Sequence, residues 1–177
     1  MEKLKGPKTY FESEAINLIQ KELEEKGTLK NHPKEYHEKI INDFLVIGVY
    51  IHNMPNEGVV FDEYKSSIPA AYFTLIKFSN YQLDITDFIK AYQQNFKDFM
   101  SGDDMLGTMI QAATLINIED PELIGMVKQI MEVNTLEFLE KYANEKWPNL
   151  VENINNLSEE EFKNLLDTNG ITKPEDE

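Results

Sequence analysis

The sequence contains no cysteine and no arginine, and the two absences exclude several kinds of site. Without cysteine the chain forms no disulfide framework, no thiolate zinc site and no cysteine nucleophile. All 17 basic residues are lysines, so the planar guanidinium group that binds phosphate or carboxylate through two parallel hydrogen bonds is missing. The side chains that remain as metal ligands are the carboxylates and three histidines.

Long apolar runs are missing too. The most apolar stretch is IINDFLVIGVYIHNM at residues 40–54, and its uninterrupted part, residues 44–51, is eight residues long. A membrane-spanning helix needs about 20 apolar residues. We therefore expect a central buried helix of a globular protein here and no membrane association. The first residues, MEKLKGPKTYFESEA, lack the apolar core of a secretory signal, so we expect a cytoplasmic protein.

No motif for catalysis or cofactor binding is evident. His32, His37 and His52 stand five and fifteen positions apart, whereas a helical zinc site needs histidines four positions apart. Acidic pairs three positions apart, the spacing of magnesium sites in helical nucleotide hydrolases, occur five times, and about six are expected by chance from 32 acids. We expect no catalytic residue, no metal site, no cofactor and no enzyme activity. A magnesium-dependent nucleotide phosphohydrolase is kept as an alternative.

What the sequence does contain is typical of one folded domain. Of its 177 residues, 41% are hydrophobic and 28% are charged, which is ordinary for a globular protein. Helix start signals recur along the chain, namely a capping box at Thr9 and Glu12, an N-cap at Asp84 or Thr86, a restart at Asp103, the pair Asp120 and Pro121, and a second capping box at Ser158 and Glu161. We predict an all-α fold, a single-domain irregular bundle of seven or eight helices over residues 1–170, followed by a frayed acidic tail at residues 171–177.

The middle of the chain is compatible with more than one structure. EGVVFDEY at residues 57–64 fits a short extended segment or a loop. SSIPAAYFTLIKFSN at residues 66–80 predicts a helix that begins at Pro69, because proline suits the first helical turn, with a buried strand as the alternative. Between Pro121 and Pro148 we predict two helices, the second of which starts after Asn134.

The net charge of −15 is unevenly distributed. Residues 1–100 carry 12 lysines and 15 acids, a net charge of −3, whereas residues 101–177 carry 5 lysines and 17 acids, a net charge of −12. Such a chain repels nucleic acid and attracts a basic partner. We therefore predict a protein partner with a basic surface and no direct nucleic-acid binding. The acids predicted to contact that partner are Asp103, Asp104, Glu119, Asp120, Glu122, Glu152, Glu159, Glu160 and Glu161.

Methionine provides a second candidate surface. The residues concerned are Met100, Met105, Met109, Met126 and Met131, whose thioethers adapt to irregular partner surfaces as well as to cores, and core packing is the use that we expect. From these patterns we predict an acidic helical protein-binding protein of the inhibitor, immunity, antidote or phage-accessory type that blocks a basic site. The alternative within the binding class is a structural or assembly chaperone that shields an apolar segment of a client.

Overall fold

The computed structural model describes residues 10–55 and 57–168. In these residues the chain forms eight α-helices, two short 3-10 helices and no strand, which confirms the predicted all-α bundle. The α-helices are α1 (Tyr10–Glu25), α2 (His37–His52), α3 (Val59–Phe78), α4 (Ile85–Ser101), α5 (Met105–Leu115), α6 (Pro121–Lys146), α7 (Pro148–Asn155) and α8 (Glu159–Thr168). The 3-10 helices, Leu29–Asn31 and Lys34–Tyr36, connect α1 to α2.

The chain divides into two compact units, Met1–Leu136 and Glu137–Glu177. Because the boundary falls inside α6, the first unit holds α1 to α5 with the first part of α6, and the second holds the end of α6 with α7 and α8. In the second unit the ring of Tyr142 contacts the rings of Phe138 and Trp147. The single domain predicted for residues 1–170 stays a prediction, and the tail at residues 171–177 lies outside the described residues.

The core of the first unit is built around α3. Ile68, Tyr72 and Ile76 of this helix are fully buried, and their four-residue spacing places them on one face. The ring of Tyr72 meets Phe44 of α2 at 5.5 Å and Phe88 of α4 at 6.5 Å between ring centroids. The three helices therefore share one aromatic and aliphatic core.

The apolar run at residues 44–51 is helical, but it is not the central buried helix that we expected. It forms part of α2, which buries Ile47 and leaves Val46 and Val49 exposed. The run has apolar side chains on every side, and a helix that is packed on one side covers only the face toward its neighbours.

The extended segment considered for residues 57–64 is a helix instead. α3 begins at Val59, directly after Gly58, whose φ of 112° suits only glycine. Pro69, predicted as the first residue of a helix, lies inside α3. Burial of Val60 and Tyr64 on the same face as Ile68 explains why the helix extends through the proline, since packing of a helix face outweighs the loss of one backbone hydrogen bond.

The prediction of two helices between Pro121 and Pro148 is wrong, because α6 runs without a break from Pro121 to Lys146. Asn134 is only a weak helix breaker, and neither glycine nor proline is nearby to end the helix. The hydroxyl of the next residue, Thr135, donates to the carbonyl of Met131 at 3.0 Å and so stays within the helical pattern.

Two of the predicted helix starts are confirmed by their hydrogen bonds. Asp84 caps α4 by accepting a hydrogen bond from the Asp87 amide at 3.0 Å. The amide of Glu161 donates to the Ser158 hydroxyl oxygen at 3.2 Å, while the Glu161 carboxylate accepts from the Ser158 amide at 2.8 Å, which completes the predicted capping box. The capping box at Thr9 and Glu12 begins before the described residues.

Candidate functional site

The nine acids predicted to contact a partner are all exposed, but they belong to two units. Asp103, Asp104, Glu119, Asp120 and Glu122 lie in the first unit, and Glu152, Glu159, Glu160 and Glu161 lie in the second. The structure therefore places five of them within one compact unit, and it does not join these five to the other four.

Three of these acids are already engaged in helix caps. Asp104, and not Asp103 as predicted, caps α5 by accepting a hydrogen bond from the Gly107 amide at 2.7 Å. Asp120 accepts from the Glu122 amide at 2.8 Å. Hydrogen bonds from the Ser158 amide and hydroxyl lower the pKa of Glu161 below its ordinary value. Their carboxylates contribute negative charge, but their positions are set by the helices that they cap.

A concave surface lies in the first unit, and we call it the α5–α6 groove. It holds about 190 Å³ between α5 and the first turns of α6. The side chains that line it include Met109, Ala112 and Ile116 on the α5 side and Leu123, Met126 and Ile130 on the α6 side. The lining is aliphatic and thioether in character.

The α5 wall of the groove exists because this helix is apolar on more than one face. Gly107, Ile110 and Ala113 are buried, since α5 packs on α3 and α4. The opposite stripe is exposed at helical spacing and consists of Met105, Met109, Ala112 and Ile116.

Gly107 allows α5 to approach the end of α4. A Cβ atom on this residue would lie 2.9 Å from the carbonyl oxygens of both Phe99 and Gly102. The side chain of Gln111 also donates to the carbonyl of Met100, so α5 is fixed to α4 along more than one turn. The groove wall is therefore held in place by backbone contacts.

The α6 wall is similar in composition. Val127 and Met131 are buried, whereas Leu123, Met126 and Val133 are exposed. Two side-chain contacts position the helix, an ion pair of 3.3 Å between Lys128 and Glu63 of α3 and a 3.4 Å hydrogen bond between the hydroxyls of Thr135 and Tyr92 of α4. The exposed stripe on α6 consists of Leu123, Met126, half-buried Ile130 and Val133. Their spacing of i, i+3, i+7 and i+10 is typical of a surface on which another helix packs.

The chain segment that forms the groove is acidic. Residues 101–136 contain six acids and a single lysine, Lys128, which already pairs with Glu63. Glu119 and Glu122 adjoin the groove residues Ile118 and Leu123 in sequence and are exposed. An apolar groove beside uncompensated carboxylates favours a ligand that is both apolar and basic.

In the part of the chain that the structure describes, the histidines and carboxylates form no cluster of the kind that binds metal. Among the residues that the structure describes, no three His, Asp or Glu side chains are grouped closely enough to hold an ion. His32 is buried, with Nδ1 hydrogen-bonded to the Tyr81 hydroxyl at 2.8 Å, and His37 bonds to the His32 carbonyl. Burial lowers the pKa of His32, and the charge of Lys77 adds to this effect.

A buried polar cluster at Asp43 is structural in character. Its carboxylate accepts a hydrogen bond from the Tyr72 hydroxyl at 2.6 Å and lies 3.1 Å from the Lys39 ammonium, which in turn donates to the carbonyl of Leu83. Burial raises the pKa of Asp43 despite the opposing effects of Tyr72 and Lys39. Asp43 and Tyr72 are almost completely buried between α2 and α3, and we therefore assign the cluster a structural role.

The sequence did not predict the groove. Met109 and Met126 were expected to pack in the core, and this was wrong, because both are exposed and line the groove together with Ile116 and Leu123. The available signal was the distribution of apolar residues around the whole circumference of α5 and the start of α6. Met131, in contrast, packs in the core as expected.

Comparison of the chain with protein-family models, with curated proteins and with solved structures gives no match. A separate search of the described helices finds none that is long and apolar enough to cross a bilayer. The interpretation of the groove therefore rests on its own geometry and chemistry.

Proposed function

We propose that this protein acts by binding another protein, and that the α5–α6 groove receives one helical segment of that partner. The segment carries apolar side chains on one face and lysine or arginine beside them. The observation that supports this proposal is the pair of exposed apolar stripes, at helical spacing, on the two walls of a single groove.

The size of the groove favours a side-chain anchor over a small-molecule ligand. Pockets for drug-sized ligands typically hold about 300–1,000 Å³, whereas this groove holds about 190 Å³. That volume suits one or two aliphatic or aromatic side chains of a docked helix. Exposed methionines on both walls suit such a role, because their flexible thioethers adjust to the shape of the inserted group.

The charge of the groove region decides which helix is accepted. With six acids and one paired lysine in residues 101–136, an acidic segment is repelled and a basic one is attracted. A protein of this kind would act in the cytoplasm as an inhibitor, immunity, antidote or phage-accessory protein that covers a basic site of its partner by steric blockade. The apolar lining also suits a chaperone that shields an amphipathic helix of a client until assembly.

The direct test uses fluorescent peptides of about 18 residues, long enough for five helical turns. One peptide has a leucine stripe flanked by lysines, and a second has the same stripe flanked by glutamates. Fluorescence anisotropy should show saturable binding of the lysine peptide alone. The double variant Met109→Gln/Met126→Gln should weaken this binding about tenfold or more, because it removes apolar contact without changing the charge.

A matched control replaces two exposed apolar residues of the first unit that lie outside the groove. Leu18 and Val49 are also exposed, so Leu18→Gln/Val49→Gln should bind the lysine peptide as the unaltered protein does. Equal affinities of the two double variants would show that the groove is not the binding site. Failure of the unaltered protein to bind the lysine peptide would contradict the proposed function itself.

A further inference from the structure

Methionine is the only sulfur-containing residue in this chain. There are seven methionines and no cysteine, so a peroxide finds thioethers as its sulfur targets and no thiol that reacts in their place. Oxidation of a methionine depends on whether the oxidant reaches the sulfur. The exposure of each methionine therefore indicates where the chain is oxidised first.

The methionines of the first unit differ widely in exposure. Met105, Met126 and Met109 are 75%, 46% and 39% exposed, whereas Met131 is 4% exposed. Met109 and Met126 line opposite walls of the α5–α6 groove, and Met105 lies one turn before Met109 on the same stripe, outside the lining. Two of these three exposed methionines therefore line the groove.

We propose that Met109 and Met126 are sites of reversible oxidation to methionine sulfoxide, and that this modification prevents docking in the groove. The inference rests on the proposed function, since it concerns the regulation of the same surface. The oxidant is a peroxide, and the modification is reversed by a methionine sulfoxide reductase that draws electrons from a thiol.

The reaction is a two-electron oxygen transfer. A lone pair of the thioether sulfur attacks one oxygen of hydrogen peroxide, the sulfur–oxygen bond forms as the oxygen–oxygen bond breaks, and hydroxide leaves. The hydroxide removes the proton from the newly bound oxygen, so that the products are the sulfoxide and one water molecule. The sulfur is oxidised by two electrons, and the peroxide is reduced by two.

The sulfoxide changes what the groove can bind. Its oxygen is a strong hydrogen-bond acceptor, and the neighbouring lining residues, such as Ile110, Ile116, Leu123 and Ile130, carry no side-chain donor. A docked helix would remove water from that oxygen without replacing the lost hydrogen bonds. Affinity for the lysine peptide should therefore fall about tenfold or more when both sulfurs are oxidised.

The experiment combines peptide mass mapping with the binding assay. The folded protein is treated with hydrogen peroxide for increasing times, and the oxidised fraction of each methionine is measured after digestion. Met105, Met126 and Met109 should be oxidised well before Met131. Binding of the lysine peptide should fall in step with oxidation of Met109 and Met126 and should return after treatment with the reductase.

Two variants separate the groove sulfurs from the others. Met109→Leu/Met126→Leu removes both groove sulfurs and keeps the groove apolar, so its affinity for the peptide, whatever its value before treatment, should not change after peroxide. Met105→Leu should lose binding after peroxide, as the unaltered protein does. Circular dichroism after treatment checks that the fold survives in each case.

Retention of affinity by protein that is oxidised at both groove methionines would overturn the inference and leave the proposed function intact. Loss of affinity in Met109→Leu/Met126→Leu after peroxide would also overturn it, because the loss would then arise elsewhere. If the unoxidised protein binds no peptide, the proposed function is wrong, and the proposed control of docking by oxidation is wrong with it. In that case the order of oxidation still tests whether Met109 and Met126 are modified first. Oxidation of Met131 as early as these two residues would contradict that assignment.

Discussion

The hydroxyl of Tyr72 donates a hydrogen bond to Oδ2 of Asp43 across the buried boundary between α3 and α2, at 2.6 Å. Both residues are almost completely buried, and the Lys39 ammonium lies 3.1 Å from the same Oδ2 atom of the carboxylate. A buried carboxylate is costly unless its oxygens are hydrogen-bonded. The pair therefore fixes the register of α2 on α3, the helix against which α5 also packs.

Replacing Tyr72 with phenylalanine should destabilise the first unit by about 1–3 kcal/mol, because the ring still fills its site while the Asp43 carboxylate loses its shortest hydrogen bond. Urea unfolding followed by circular dichroism measures this change. In an Asp43→Ala background, Tyr72→Phe should lower the free energy of unfolding by clearly less, because no carboxylate is then left without its hydrogen bond. Equal costs in the two backgrounds would mean that the hydrogen bond does not stabilise the fold.

His32 should make the stability of the protein depend on pH. Its pKa is lowered from the ordinary value of 6.5, first by burial and then by Lys77 and His37. Below pH 6.5 the unfolded chain binds a proton at this residue that the folded protein does not, so this contribution to stability is present above pH 6.5 and is lost as the pH falls through the lowered pKa.

The free energies of unfolding at pH 7.5 and pH 5.5 test this dependence. The decrease in the free energy of unfolding between pH 7.5 and pH 5.5 should be smaller in His32→Gln than in the unaltered protein, because glutamine does not titrate. A His32→Gln variant with an undiminished loss would show that other groups cause the pH dependence.

Gly107 and Gly48 are both helical glycines, but alanine should have opposite effects at the two positions. At Gly107 the added Cβ would meet two backbone carbonyl oxygens at 2.9 Å, so Gly107→Ala should destabilise the protein by about 1–3 kcal/mol. At Gly48 nothing lies within 4 Å, so Gly48→Ala should stabilise α2 by about 0.5–1 kcal/mol. Thermal unfolding distinguishes the two outcomes, and a stabilised Gly107→Ala would show that α5 does not approach α4 as described.

These substitutions also show which features the sequence could predict. Caps such as Asp84 and the Ser158–Glu161 pair depend on hydrogen bonds between residues at most three positions apart, so the local sequence determines them. The start of α3, in contrast, depends on burial. Val60 and Tyr64 are buried in the core, and their burial stabilises α3 on the N-terminal side of Pro69. The local sequence does not show which of its residues will be buried.

The groove was only partly predictable for the same reason. The sequence shows that α5 is apolar around most of its circumference, but tertiary packing decides that Ile110 is covered while Met109 is exposed. Residues that are far apart in sequence, such as Met109 and Met126, become opposite walls only when both helices are placed on α3 and α4. The acidic charge of residues 101–136, in contrast, follows directly from composition.

The charge of the groove region leads to a kinetic prediction. If carboxylates beside the groove steer a basic helix, the association rate constant of the lysine peptide should fall steeply as salt is raised through about 0.1 M, where the Debye length is about 10 Å. Stopped-flow anisotropy measures this rate constant. An association rate that is indifferent to ionic strength would contradict electrostatic steering.

Charge-removing variants show which acids are responsible. Glu119→Gln/Glu122→Gln removes two negative charges beside Ile118 and Leu123, and it should slow association by roughly threefold or more at low salt, with little change at high salt. Glu159→Gln/Glu160→Gln, in the second unit, removes the same number of charges and serves as the reference for the effect of net charge alone. If the two double variants slow association equally, the net charge of the whole chain attracts the peptide, and the acids beside the groove have no special part in its capture.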